Sequence, residues 1–544
     1  MPLGSLWDCK YLKKIYFMQQ FCKKIHYSSY LRVKSDRDMI TFLVCLALLV
    51  TAYFTYGRYL ERQAGADASA EMPCRRLYDG VDYVPLPRWR AFLIQLLNIA
   101  GTGPIFGAVL GACFGPVAFL WITFGGIFMG AMHDYLSGMM LVRNDGLSIP
   151  EVVGRYLGEG MRHFMRIFSV LLLVLVGAVF LLSPAQLLAN MVPAISCPVW
   201  VWLILAYYFV ATLLPIDKII GRIYPLFGVA LVAMALGLLG AVIVGDYRIP
   251  ELTTLHNFQL DPARVPIVPT LFITIACGAI SGFHSLVGSG TTAKQLNNEK
   301  DAQPIAYGGM LIECVLAIVS LCAVAYIWKD YQAGTTVTPT VVFATGLSQM
   351  LGKIFGSGAV SVTYTLMVLA VSVFCLTSLD TATRLARYMF QEFWLKPGEK
   401  AGDATVTGAR KVLCNPYVST AITVVLGIAL GMTGYAKIWP LFGAANQLLA
   451  GLGLLAVAAW LGKMGRNNKM FYFPMIFMIL VTLTSLVFTI KSQITAIIAG
   501  GTGLAWCYIR AILAILLVIL AIDLVVEGSK ALAAQAKAKK AENA

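Results

Sequence analysis

One apolar segment constrains this chain more than any other feature. Phe92 to Gly115, FLIQLLNIAGTGPIFGAVLGACFG, is long enough to cross a bilayer yet breaks in its own middle. A spanning helix needs about 20 apolar residues. Gly101, Thr102, Gly103 and Pro104 fall at the centre of this one. Proline lacks an N–H and disfavours helix at the residue before it. The spacing therefore predicts a half-helix, an unwound turn, and a second half-helix with Pro104 in its first turn. Unwound backbone at membrane depth is tolerated only where protein or a watery cavity satisfies its polar groups. Such a break is either a substrate or ion site or a Gly/Pro kink for helix packing. Val268 to Gly288, VPTLFITIACGAISGFHSLVG, is a second apolar run, interrupted by Gly278, Ser281, Gly282 and His284. Two glycine-interrupted spans at matching places in two halves of a chain are the sequence pattern of a transporter core.

Composition excludes a soluble enzyme. Of 544 residues, 59% are hydrophobic and 13% charged, and many separate apolar runs reach spanning length. The fold class is therefore an all-α polytopic membrane protein. The net charge of +15 does not point to nucleic acid, because the basic residues cluster in loops between spans. The twelve cysteines contain no C-x-x-C pair. Cys45, Cys113, Cys277, Cys314, Cys322 and Cys375 lie within spans and read as small packing residues, with no disulfide frame, metal site or cofactor implied.

Residues 1–38 form a basic extension, disordered or preceding a true start at Met39, with no signal-peptide pattern. A leading transmembrane helix over 39–57 and a cytoplasmic loop over 58–91 follow. Spans are expected at about 92–114, 117–140, 164–189, 199–215 and 220–244, making residues 92–244 a first five-helix repeat. An external loop over 245–267 carries Asp246, Glu251, His256 and Asp261. The second repeat, 268–462, has spans at about 268–290, 305–328, 358–390, 417–434 and 438–462, with a shorter surface helix over 341–355. Two trailing helices fill 463–527, and 528–544 is a Lys/Ala-rich cytoplasmic tail. Ser148 and Glu151 flank Pro150 in the spacing of a capping box. Each five opens with an interrupted helix. Five is odd, so the second five inserts upside down: a five-plus-five inverted repeat within about 13 transmembrane helices.

Loop charge supports this topology. Loops on the side where the first broken helix begins carry Arg143, Arg155, Arg162, Lys218, Arg222, Lys294, Lys300, Arg384, Arg387, Lys396, Lys400, Arg410, Lys411, Lys463, Arg466 and Lys469, whereas Phe180 to Trp200 has no Lys or Arg. The first group is placed in the cytoplasm, together with the carboxy terminus. Residues 1–38, with eight Lys and Arg, would then lie outside. Either they precede the true start or the leading topology differs.

Five long stretches carry a resemblance to a known family. GTGPIFGAVLGACFG, GAMHDYLSGMMLVRNDGLSIPE, TIACGAISGFHSLVGSGTTAKQL, SLDTATRLARY and WPLFGAANQLLA run in order from residue 101 to residue 450. They resemble the carbon starvation protein A family of bacterial membrane transporters. The resemblance implies uptake of peptides across the inner membrane during carbon starvation, and close relatives take up pyruvate. It also implies the core of the amino acid–polyamine–organocation transporters, which agrees with the five-plus-five count. Residues 1–38 look foreign to that family, and one leading helix stands where longer members have two.

The first break offers bare backbone at Ala100, Gly101, Thr102 and Gly103. The N-terminus of its second half suits a substrate carboxylate, and the carbonyls of its first half suit a cation. Ser281, Gly282, His284 and Ser285 complete the pocket from the second break, with Thr291 and Thr292 further toward the cytoplasm. An ionisable group inside a span costs roughly 2.5–3.5 kcal/mol and is a functional candidate by default. Asp380, flanked by Ser378 and Thr381, is the first ion-coupling candidate. In sodium-coupled members of the fold that the chain resembles, small hydroxyl residues on this helix face the first break. The competing reading pairs Asp380 with Arg384 one turn on. Glu313 is a second candidate, either relaying protons or bonding a neighbouring helix. His284 is also a candidate proton carrier, since histidine titrates near neutral pH. His133 and Asp134 read as an inner gate or a structural network. Asn446 and Gln447 bring amides to a span start, where helix packing is an equal reading.

These features describe a secondary transporter of a small molecule, peptide or pyruvate, coupled to H+ or Na+ within a lipid bilayer. No Walker A sequence couples it to ATP, and no H-E-x-x-H, G-x-S-x-G or metal-spaced Cys/His set suggests an intramembrane enzyme. A channel would need a filter motif, and a nutrient sensor would need an added signalling domain.

Overall fold

A computed structural model describes residues 39–544 apart from 81, 214–215, 246, 248–251, 253–256, 259–264, 329–338, 397–398, 400, 402, 432–434, 501–502 and 543–544. The extension 1–38, the acidic and histidine residues assigned to the 245–267 loop, Lys400, and the side chains of Lys218 and Arg222 lie outside the described residues.

The chain is a bundle of long apolar helices. Among the described residues β pairing is confined to one bridge, Leu86 with Leu296. Nine helices among them are long and apolar enough to cross a membrane, and a tenth crossing is the pair Arg88–Ile99 (α3) and Gly103–Gly111 (α4), bent by 44° at a short break. Before them run α1 (Ile40–Phe54) and α2 (Tyr56–Ala64). The first half continues as α5 (Val117–Val142), α6 (Ile149–Leu157), α7 (Glu159–Met191), α8 (Cys197–Leu213) and α9 (Ile216–Val244). The second half comprises the interrupted pair α10 (Ile267–Thr274) and α11 (Phe283–Val287), then α12 (Glu299–Tyr326), α13 (Pro339–Phe355), α14 (Gly358–Trp394), α15 (Pro416–Gly431) and α16 (Tyr435–Lys463). The trailing pair is α17 (Tyr472–Ile498) and α18 (Leu504–Glu542). That makes nine to ten candidate crossings among the described residues, and the shorter helices α8 and α15 and the interrupted pair α10 and α11 stand where the sequence places the other expected spans.

The halves pack reciprocally. α7 and α14, the third spans of each five, share the most extensive helix–helix contact. α4 of the first break lies on α12, and α11 of the second lies near the C-terminal part of α5. α5 and α12 occupy equivalent places, and both contain π-helical turns, at Trp121–Gly130 and Gln303–Tyr307. Without a hydrophobic drive between helices in lipid, close backbone approach at small residues substitutes. A Cβ at Gly443 would stand 2.6 Å from the carbonyl of Ile273, and one at Gly107 would stand 3.0 Å from that of Thr274.

Several local expectations change. The leading helical course runs past residue 57 to Ala64, so the loop before the first break is shorter than 58–91. α18 continues through the Ala-rich start of the 528–544 segment to Glu542. The short helix α13 buries Val342, Phe343, Ala344, Leu347 and Met350 and so is packed on one side rather than lying on the surface. The capping box does not form. Ser148 makes no side-chain cap and instead donates to Glu392 at 2.9 Å, while Glu151 faces Arg162 and Arg166 from α7. Two buried guanidinium groups win the carboxylate from a backbone N–H because charge-assisted pairs are the stronger.

Candidate functional site

The two interruptions meet. A Cβ at Gly103 would stand 2.6 Å from Cys277, and one at Gly278 would stand 2.8 Å from Ala317 and 3.6 Å from the Cα of Pro104. Ala100, Thr102, Gly103, Cys277, Ser281, His284 and Ser285 are all buried. The exposed ends of the half-helices find protein partners, as buried backbone must. The last carbonyls of α10 accept from Trp121 (Ile275, 2.9 Å), Trp439 (Thr274, 3.2 Å) and Gln447 (Phe272). The first N–H of α11, at Phe283, donates to Oδ1 of Asn446 at 2.8 Å, and Asn446 Nδ2 donates to Ser281 Oγ at 3.1 Å. Asn446 and Gln447 therefore hold the second break in shape. Gly282 is pressed onto the same helix, with a Cβ there 2.5 Å from the carbonyl of Asn446. Ser281 and Gly282 thus face α16, while His284 and Ser285 line a cavity.

That cavity is about 30 Å³ and is also lined by Gln95, Asp134, Ser137, Thr292, Leu296 and Ala302. It has room for roughly one water, so a nutrient requires the bundle to open. Thr292 donates to Gln95 across the two broken helices.

On α14, Ser378 and Thr381 reach the first break. The Ser378 hydroxyl is 2.5 Å from where a Gly101 Cβ would be, and it makes no hydrogen bond among the described residues. Thr381 donates to Asn98 Oδ1 at 2.7 Å. Asp380 lies round the helix from that face, since successive residues turn by about 100°. It is 3.4 Å from Arg384, the i,i+4 pair.

The remaining ionisable candidates converge on one point, which their sequence positions do not suggest. His284 Nδ1 is 2.7 Å from Asp134 Oδ2, and His284 Nε2 is 3.4 Å from Glu313 Oε2. His133 Nδ1 is 2.9 Å from Asp134 Oδ1. All four side chains are at most 1% exposed. Asp134 is thus part of the second break's surroundings, beyond the gate or network role read from sequence. π-helical turns adjoin each contributor, including Gly288–Thr292 after α11, a feature frequent at functional sites. No group of three or more His, Cys, Asp or Glu among the described residues is placed to hold a metal ion.

Sequence reasoning missed a polar network at one end of the bundle. Arg143 grips Glu299 through two bonds of 2.9 and 2.8 Å and also donates to the carbonyls of Ala64 and Gly65 at the end of α2. Asp67 N–H donates to Glu299 at 2.9 Å. From there the described residues between Gly65 and Pro87 form a strap bonded to the segment 295–299 and to Asp145. Cys74 Sγ donates to the Leu296 carbonyl at 3.0 Å, Arg75 to Asn297 at 2.9 Å, Arg76 pairs with Asp145, and Leu86 N–H donates to Gln295 at 3.1 Å. Burial raises the Tyr83 hydroxyl to about 12, so it stays protonated and donates to the Asp145 carbonyl at 2.8 Å. The signal available in sequence was the run of charges at 61–90, which carries no partner information.

Two interrupted helices in contact at the centre of reciprocally packed halves define a membrane transporter fold. The family model for carbon starvation protein CstA matches residues 37–198, 185–336 and 328–485, and the chain belongs to that family. An uncharacterized membrane protein of Haemophilus influenzae is 39% identical over 52% of this chain and 89% of its own length. Peptide transporter CstA of Escherichia coli is 27% identical over 78% of this chain and 76% of its own. Pyruvate/proton symporter BtsT of the same organism is 25% identical over 78% and 77%. The fold is similar to that of a crystallised mutant of the Eremococcus coleocola manganese transporter. The TM-score is 0.54 at 14% identity, covering 84% of this chain and 99% of the other.

Proposed function

We propose that this protein is a secondary active transporter that imports small carboxylate-bearing nutrients, peptides foremost, by ion-coupled alternating access. The observation that carries the reading is the contact between the two helix interruptions. The N-terminus of α4 at Thr102 and Gly103 suits a carboxylate, the N–H groups of Ala100 and Gly101 being bonded to Leu96 and Ile99, and His284 and Ser285 face the adjoining cavity. Substrate and ion bind there, and the broken helices rock against the rest to open the site to each face in turn. Ion coupling, to H+ or Na+, falls to Ser378 and Thr381 with Asp380 nearby, or to Glu313. The strap and the Arg143–Glu299 pair close the inner side. The domain division follows the two fives, with α1 and α2 leading and α17 and α18 trailing. Loop charge supports a cytoplasmic strap and carboxy terminus, with the protein spanning the bacterial inner membrane.

A second reading, proton-coupled import of pyruvate, is favoured by the small cavity, because a three-carbon acid demands the least opening. One experiment separates the two: uptake of labelled pyruvate into proteoliposomes under an imposed proton gradient, with unlabelled di- and tripeptides as competitors. Peptide transport predicts no pyruvate accumulation, and uptake when labelled peptide is substituted. Pyruvate accumulation that peptides leave untouched overturns the peptide reading.

A further inference from the structure

We propose that the coupling ion is a proton and that it is bound by His284 and Glu313, with Asp134 as the constant negative partner of the imidazole. This rests on the transporter reading above and names the ion and its place.

The argument begins with how buried acids are balanced in this molecule. Asp380 faces Arg384, Glu151 faces Arg162 and Arg166, and Glu299 faces Arg143. Those counter-charges are permanent. Asp134 and Glu313 differ, since among the described residues neither is paired with Lys or Arg, and the only cationic partners are His133 and His284. An unbalanced buried carboxylate is strongly disfavoured. Here the balancing charge is itself a removable proton.

Glu313 is the group with bonding capacity to spare. It is fully buried, and among the described residues neither carboxyl oxygen has a hydrogen-bond partner. Its Oε2 faces His284 Nε2 at 3.4 Å, just beyond the 2.7–3.2 Å of an N–H···O bond. His284 is fixed from its other side by the 2.7 Å contact with Asp134. With Asp134 ionised and one proton shared between His284 Nε2 and Glu313, the three groups carry one net negative charge. A second proton, taken from water, leaves His284 doubly protonated and Glu313 neutral, and the net charge is zero. Release to water on the opposite face restores the first state, so each cycle moves one proton. The cavity reaches both Asp134 and His284 and admits a water. Asp134 lies on α5, His284 on the second broken helix and Glu313 on α12, so protonation sets how firmly the broken helix is held by its neighbours. The other titratable groups around the cluster are His133, against Asp134, and Cys277 and Cys314, beside Glu313. Asn446 and Ser281 add neutral polar contacts through Cys277.

The test uses the full chain in proteoliposomes, with labelled pyruvate and labelled dialanine as probes. Counterflow first shows which probe exchanges. An inward step of one pH unit then drives accumulation of up to about tenfold for one proton per substrate, with a trapped dye reporting proton entry. Glu313→Gln is expected to lose both proton entry and pH-driven accumulation, and Glu313→Asp is expected to regain part of each. Full proton-driven accumulation by Glu313→Gln overturns the proposal. Failure of wild type to exchange either probe overturns the substrate reading instead. Infrared difference spectra after a pH jump then read the site without transport. A protonated-carboxyl band in wild type, lost in Glu313→Gln and shifted in His284→Gln, is the expected result. Its absence from wild type overturns the proton site whatever the transport assay returns.

Discussion

Gly101 has no room for a side chain, because a methyl there would meet the Ser378 hydroxyl at 2.5 Å. Overpacking of this kind costs about 1–3 kcal/mol. Gly101→Ala is therefore expected to lower the melting temperature and to slow substrate counterflow. Unchanged counterflow would remove the Gly101–Ser378 contact from the transport cycle. Asn446→Ala acts differently, stranding the buried N–H of Phe283 at a cost of about 1–3 kcal/mol. Thermal melting in detergent should show that loss even for a variant that inserts normally. Gly101 was legible in the sequence because glycine and proline punctuate an apolar run. The Asp134–His284 pair was not, since its members are 150 residues apart and periodicity says nothing about which helices meet. Asp380 stands out in the sequence as an acid between hydroxyls, with the pair to Arg384 as the equal reading, and that pair is present at 3.4 Å. The helical turn puts the hydroxyls on one face and the acid on another.

At the scale of elements, the Arg143–Glu299 pair joins the end of α5 to the start of α12 and caps α2 as well. Double-mutant cycles on neighbouring charges return about 0.5–3 kcal/mol of coupling. Arg143→Ala and Glu299→Gln are expected to fall in that range by thermal melting, and additive losses would show that the two do not act together. The strap should loosen with them. Cys74 is buried with its thiol raised by desolvation, so it reacts slowly while the strap is seated. Arg143→Ala should speed thiol labelling at Cys74, judged against a Cys74→Ser control. Equal rates would mean that the strap is held by its other bonds. The spans were legible as elements because length and apolarity alone define them. The capping spacing at Ser148 misled because a local motif was outbid by arginines from the next helix, and the strap was invisible because its bonds go to distant loops.

For the whole molecule, the proton assignment ties substrate to voltage. Pyruvate carried with one proton moves no net charge, whereas a zwitterionic dipeptide with one proton moves one. An inside-negative potential of about 100 mV is worth about 2.3 kcal/mol per charge, a factor of about 40–50. Peptide accumulation should rise toward that factor when a potassium–valinomycin potential is imposed, and pyruvate accumulation should not change. The reverse pattern would mean a different stoichiometry. The five-plus-five plan was readable because both interruptions carry their own glycines, while the reciprocal packing of α7 with α14 needed the structure. The strap has one more consequence, which concerns time. Asp67 and Glu299 are 232 residues apart, and Cys74 and Leu296 are 222 apart. At about 5–20 residues per second, a ribosome takes about 10 to 45 s to make the second partner after the first. Throughout that interval the nascent strap has no partner for these bonds, and only synthesis of the second half supplies one.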